Sequence, residues 1–367
     1  MRLACAVLAL LAGAAAVSNG PAAAAARGAA AVWNHAGDGN WTDAANWTGG
    51  VPNAVDAEAT FAASANVTFV TVDQRVTVGR LTFDNGDWLY AIDGAAAPLV
   101  LEASAGPAHV SAVTGQHFIF APLELKSDAT FDVGGFARLD VAAGIDSPTR
   151  SLTKTGAGPL AVPYVRASAL TINGGAVGIA ADGTRAGLSV VGALNIAAGQ
   201  ALDLADNSLV IDYTGGSPLA SVRALLASGY ARGRWDSTGI RSSAAQGGSR
   251  ATALGYAEAS ALGINQFMGE PVDGTAVLIK YTWYGDANLD GKVDAADLAL
   301  MSLTGTDWSR GDFNFDGAVT PEDYALFTLG ASLQTSVLGV PPTPEPGTAG
   351  VAVLTTMAWR ARRRSRA

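Results

Sequence analysis

From Tyr284 to Ala331 the chain repeats one pattern, and no other stretch restricts its folding so tightly. The first copy sets Asp286, Asn288, Asp290, Asp294 and Asp297 at positions 1, 3, 5, 9 and 12 of a twelve-residue loop, with Gly291 at position 6. The second sets Asp312, Asn314, Asp316, Thr320 and Asp323 at the same positions around Gly317, so that Asp286 and Asp312 stand 26 residues apart. Glycine at position 6 takes the sharp turn, and position 7 (Lys292, Ala318) adds a backbone carbonyl. Such an alternation aims every second side chain at one centre, which suits a hard cation that takes six to eight oxygens. Asp and Asn also dominate ordinary turns, so the alternative is a pair of acidic surface turns. Two complete ligand sets in register favour calcium, two ions in all.

The repeat continues past the loops. Val293 matches Val319, Leu298 matches Tyr324, Leu300 matches Leu326, Met301 matches Phe327 and Leu303 matches Leu329. Their i, i+3 spacing predicts a short helix after each loop, with the two apolar faces buried against each other. The run Tyr281–Tyr284 before the first loop reads as a strand. This segment, about 48 residues of 367, resembles a type I dockerin, a paired EF-hand-loop module that docks secreted enzymes onto cohesin domains. As in that family, Asp closes each loop where EF-hands use Glu. The resemblance implies calcium held by both ligand sets and a cohesin-like partner. Positions 10 and 11 depart from it: Ala295-Ala296 and Pro321-Glu322 replace the hydroxyl or basic pairs that meet cohesin.

The rest of the chain has a different texture. Charged residues make up only 15% and glycine numbers 44 of 367, a composition suited to short strands and tight turns. The net charge is −9. Nine acids and two bases between Asp286 and Asp323 concentrate most of it in the loops. Nothing outside them forms a basic nucleic-acid footprint. From Ala59 to about Tyr213, apolar-polar alternations such as Val67–Val72, Val76–Phe83, Leu123–Leu125, Ala169–Ile172 and Leu194–Ile196 recur every ten to fifteen residues or so between Gly, Asn, Asp and Pro. They predict stacked β-rungs. Ser151–Leu160, followed by Leu170-Thr171-Ile172-Asn173-Gly174-Gly175, resembles the autotransporter-associated β-strand repeat, which implies a right-handed parallel β-helix. Pro218–Tyr230 predicts a helix, and Ala276–Trp283 a strand, within a segment 217–282 that would cap the solenoid.

The two ends read as addresses. Residues 1–26 have the features of a signal peptide: Arg2, an apolar run Leu3–Val17 too short to span a bilayer, and small residues Ala22–Ala26. Cys5, the only cysteine, falls within it, so a processed chain has neither disulfide nor thiol nucleophile. A Pro-rich linker (332–343) precedes Pro344-Glu345-Pro346, an apolar stretch Gly347–Trp359 and five arginines among residues 360–366. This ending resembles the PEP-CTERM sorting signal of bacteria that export proteins with extracellular polysaccharide. It implies an exosortase-type processing enzyme and a transient membrane hold through the tail alone.

Catalytic constellations are not evident. No HExxH, GxSxG, Walker loop or dinucleotide turn occurs. His109 and His117 flank a strand-like run and could approach a metal, though packed histidines are the commoner case; His35 is the third. Asp128, Asp132, Asp140, Asp203 and Asp206 are the carboxylates a β-helix enzyme would draw on. Trp33, Trp41 and Trp47 either form a sugar-stacking platform or, as we favour, cap the first rung. Asn40, Asn46 and Asn66 open N-x-Thr acceptor patterns and read as turn residues; the opening resembles secreted planctomycete-type surface proteins. The expectation is a mainly β protein: a solenoid body (30–282), a small helical calcium module (283–331), a linker and a sorting tail. Its function would be non-catalytic attachment at the outer cell surface or in the matrix. The alternative is a polysaccharide-degrading or carbohydrate-binding protein attached through its dockerin.

Overall fold

The Val- and Thr-rich alternations form the coils of a β-solenoid in the computed structural model, which describes residues 30–62, 64–94, 97–247 and 251–339. The leader 1–26, the end of the linker and the sorting tail with Pro344, Glu345 and Pro346 lie outside the described residues. One outward ladder shows the stacking. Glu58 lies beside Arg80, Arg80 beside His109, His109 beside Thr130, Thr130 beside Thr153, Thr153 beside Thr171, and Thr171 beside Asn195, all in parallel register. A full coil therefore runs from 18 residues (Thr153 to Thr171) to 29 (Arg80 to His109). The shorter sequence spacing marked single strands, because each coil contains more than one. A three-stranded parallel sheet (Val76–Val78, Leu99–Leu101, Leu123–Leu125) forms another wall.

Because side chains alternate along a strand, the neighbouring ladder points inward. It stacks Ala59, Leu81, Val110, Phe131, Lys154 and Ile172, all buried. Lys154 is the exception in this apolar column. Its ammonium reaches a corner of the coil and donates to the carbonyls of Thr155 (2.5 Å), Gly156 (2.8 Å) and, one coil on, Gly174 (3.1 Å). The glycines around it are required by space. Gly156 has φ +73°, and a Cβ there would lie 2.2 Å from the Val133 carbonyl oxygen. That is the physical content of the Leu-Thr-Lys-x-Gly-x-Gly run: an inward lysine whose charge is held by the backbone of two tightly bent coils.

The first coil is closed by aromatics. Trp33, Trp41 and Trp47 are buried around Phe61, with ring centroids 5.1 Å apart for Trp33–Trp47 and for Trp41–Trp47. Trp41 Nε1 donates to the Pro52 carbonyl, and Trp47 Nε1 to that of Trp41. They are a plug, and no sugar-stacking face remains to them. Asn46 is buried too, its amide donating to the Asn40 carbonyl.

At the other end the parallel order breaks. Strand Ala276–Trp283 runs antiparallel between Leu209–Asp212 and Thr252–Glu258 and covers the free edge of Leu209–Asp212. Its bounds are those read from the sequence. The helix Leu219–Tyr230 packs Val222 and Leu226 into the same end. Strand Ala276–Trp283 then delivers the chain directly into the first acidic loop. Among the described residues no helix is long and apolar enough to cross a membrane.

Candidate functional site

Both acidic loops fold the same way. At position 4, Leu289 and Phe315 adopt left-handed φ of 61° and 62°; at position 6, Gly291 and Gly317 share φ of 93°. The position 12 carboxylate closes each loop from below. Asp297 Oδ1 accepts the amides of Ala287 (2.9 Å) and Asn288 (3.1 Å), and Asp323 Oδ1 accepts those of Phe313 (2.8 Å) and Asn314 (3.3 Å). The second oxygen of each accepts the amide of position 9, Asp294 or Thr320, at 2.9 Å. Those position 9 side chains cap the helices Ala295–Leu300 and Pro321–Leu333 in reciprocal capping boxes. Positions 3 and 5 form Asx turns: Asn288 Oδ1 accepts the Asp290 amide, Asp290 Oδ1 that of Lys292, and the second loop repeats both through Asn314, Asp316 and Ala318.

Turn and cap chemistry thus accounts for positions 3, 5, 9 and 12. At position 1 it satisfies Asp286, which accepts two loop amides and the Thr282 hydroxyl, but leaves Asp312 incomplete. Asp286 and Asp312 are buried, as are Asp297 and Asp323 beneath them. Burial raises the Asp286 carboxyl to about 7 against the pull of Lys280 and the Thr282 hydroxyl. Burial also raises Asp297, and raises Asp312 despite its Arg223 partner. Each loop has one cation from the body. Lys280, buried in the closing strand, donates from Nζ to the Leu289 carbonyl at 2.8 Å. Arg223, on the helix Leu219–Tyr230, donates from Nη2 to Asp312 Oδ2 at 3.0 Å. The other oxygen, Asp312 Oδ1, is buried without a partner. A buried carboxylate oxygen without a partner is costly, and a divalent cation among these oxygens would relieve it. Among the described residues, however, no three Asp, Glu, His or Cys side chains stand grouped as a metal centre. Any ion would need the loop amide oxygens, carbonyls and hydroxyl as well.

The even positions of the loops carry a second message that the ligand pattern hid. Ala287, Leu289, Phe313 and Phe315, at positions 2 and 4, are buried. Phe315 packs against Tyr230, Trp235, Tyr256 and Trp308. Trp308, between the loops, donates from Nε1 to the Asp286 carbonyl at 2.7 Å and meets Phe313 and Tyr284. These residues belong to the solenoid's own apolar core. The helices consequently do not bury their faces against each other as their spacing predicts. Leu298 is 46% exposed and Leu303 80%, and Leu300 and Tyr324 are also exposed. Trp308, Phe313 and Phe315 pack the loops onto the body instead. After the second helix the chain returns over the first loop: the Gln334 amide pairs with both backbone groups of Val293, and Leu338 N donates to the Gly291 carbonyl.

The other candidates do not assemble. Asp128 accepts the Ser151 amide, Asp132 the Thr155 hydroxyl and Asp206 the Asp182 amide; Asp140 pairs with Arg138 and Asp203 with Arg241. His109 lines a shallow cavity with Asp56, Glu58, Arg80 and Ser104. His117 is buried and stacks on Phe83 at 4.9 Å. Its Nδ1 accepts the Tyr90 amide, which leaves Nε2 protonated to donate to the Thr114 carbonyl at 2.8 Å. Burial lowers its pKa from 6.5. Below that value the unfolded ring binds a proton that the folded ring resists, so stability falls as pH drops. The raised carboxyls of Asp286, Asp297 and Asp312 act in the opposite direction, so the check is a difference. From pH 7.5 down to 5 the thermal midpoint of His117→Gln, which can still accept and donate, should gain on that of the parent. Equal slopes would mean that other groups set the acid sensitivity. Compared with protein-family models, curated proteins and solved structures, the chain matches none.

Proposed function

We propose that this chain is an exported, non-catalytic surface or matrix protein whose solenoid carries a calcium-dependent, dockerin-like attachment module. The observation that carries the reading is the burial of the position 1 and position 12 carboxylates in two matching loops, with one oxygen of Asp312 left unpaired. In the first loop Asp286, Asn288, Asp290, Asp294, Asp297 and the Lys292 carbonyl would hold one ion. In the second, Asp312, Asn314, Asp316, Thr320, Asp323 and the Ala318 carbonyl would hold another. Calcium would supply charge neutralisation and rigidity, fixing a surface for a cohesin-like partner or a surface polysaccharide. The PEP-CTERM-like ending supports export and exosortase-type processing, with the membrane touched only through that tail.

Calorimetric titration of the chain with calcium tests the first part. Two ions should bind with dissociation constants on the order of 0.1–1 mM, an extracellular range. About 10 mM calcium should then add about 1.4–2.7 kcal/mol of stability per site. Asp290→Ala with Asp316→Ala removes exposed ligands whose other bonds are local turns, so binding should vanish while the solenoid stays folded. If the parent chain takes up no calcium, the loops are turns and caps only, and the attachment reading falls. Release of reducing ends from a polysaccharide panel would instead make it an enzyme.

A further inference from the structure

We infer that Arg223 is a resident competitor for the cation of the second loop, so that the loops fill in order, the first before the second. The inference rests on the calcium reading and deepens it. The two loops share their turn and cap bonds; beyond the Thr320 hydroxyl bond to Asp323 and the Gln334 and Leu338 contacts of the first loop, they part at position 1. In the first, Asp286 Oδ1 accepts the Asp290 amide at 3.0 Å and Oδ2 accepts the Gly291 amide at 2.8 Å. In the second, Asp312 Oδ2 accepts the Gly317 amide at 3.0 Å, but the bond from the Asp316 amide to Oδ1 is missing and Oδ1 has no partner. What distinguishes the second loop is the guanidinium. Arg223 Nη2 lies on Asp312 Oδ2 and would stand 3.1 Å from a Cβ on Gly317, against the turn itself.

Lys280 also brings a positive charge near Asp286 and Asp290, but it bonds no ligand carboxylate at the first loop. Its hydrogen bond goes to the Leu289 carbonyl, and Asp286 keeps both loop amides. Arg223 instead takes up a ligand oxygen directly. Its own Nε is buried without a partner, so the pair is incomplete on both sides and has little to hold it against a divalent ion. The neighbours facing the guanidinium are Tyr256 and Asp307 from the body side and the connection, besides Asp312. Ligand charge points the same way, with four carboxylates in the first loop and three in the second.

The test isolates the arginine from that difference. Calorimetric titration of the parent chain should resolve two steps, the second weaker on the order of tenfold or more. Asp290→Ala should remove the tight step and Asp316→Ala the weak one. Arg223→Met should tighten the weak step by about tenfold and leave the tight one within about twofold. Arg223→Gln, which keeps a polar side chain at the seam, should do the same should the methionine variant fail to fold. Parent and variant isotherms that superimpose would overturn the inference while leaving calcium binding intact. Absence of any uptake by parent and variants alike would remove the calcium reading itself.

Discussion

Trp308→Ala is expected to cost about 3–5 kcal/mol, the range for emptying a fully buried tryptophan site, and to loosen both acidic loops at once. The side chain is wholly buried and holds three things together. Its indole donates to the carbonyl of Asp286, the first residue of the first loop. Its rings meet Phe313 and Phe315 of the second loop. Its face lies on strand Thr252–Glu258, where Gly255 has no side chain; a Cβ there would come within 2.6 Å of the indole nitrogen. Because the loops share the solenoid's core, unfolding by denaturant should lose its single sharp transition in the variant. The loops should melt before the body. Near-ultraviolet circular dichroism reports the aromatic cluster and far-ultraviolet the strands, so their midpoints should separate. Coincident midpoints and a loss below about 1 kcal/mol would show that the loops and body stay one cooperative unit without this contact.

Much of this arrangement was readable in advance, for physical reasons that differ along the chain. The closing strand Ala276–Trp283 and the helix Leu219–Tyr230 declare themselves because their burial patterns are local and unbroken. Both loop helices declare themselves through the apolar spacing after each loop, and the structure adds their caps at Asp294 and Thr320. The solenoid was legible as short strands, but its coil length was not: a corner costs the sequence only a glycine or two, whether it ends a strand or a full turn. Arg223 and Lys280 could not be found at all. Each is an ordinary basic residue in a helix or strand, and it meets its loop only through a contact made across 89 residues for Arg223. The aromatic seam could have been found. Positions 2 and 4 of the loops alternate with the ligands, and Phe313 and Phe315 there are far too apolar for a free surface turn.

Lys154→Met should be far more damaging than its size match suggests. A methionine of similar length fills the column between Phe131 and Ile172, so packing alone predicts a small effect. The backbone predicts otherwise. The carbonyls of Thr155, Gly156 and Gly174 would lose their donor at a half-buried corner. Replacing a buried charge by an apolar group is harmless only where its partners go too, and backbone carbonyls cannot go. The expected loss is about 2–4 kcal/mol. The pH dependence carries the signature of the charge. Burial lowers the ammonium from 10.5 to about 8, with Asp132 opposing. Between those values the unfolded chain holds a proton that the folded chain has released, so this residue's contribution to stability grows as pH rises. Denaturant midpoints of parent and variant should therefore diverge from pH 8 to 10.5, the parent gaining. A gap that stays constant would mean the three carbonyls hold the lysine charged throughout, and that the corner is an ammonium site as tight as any formed in water.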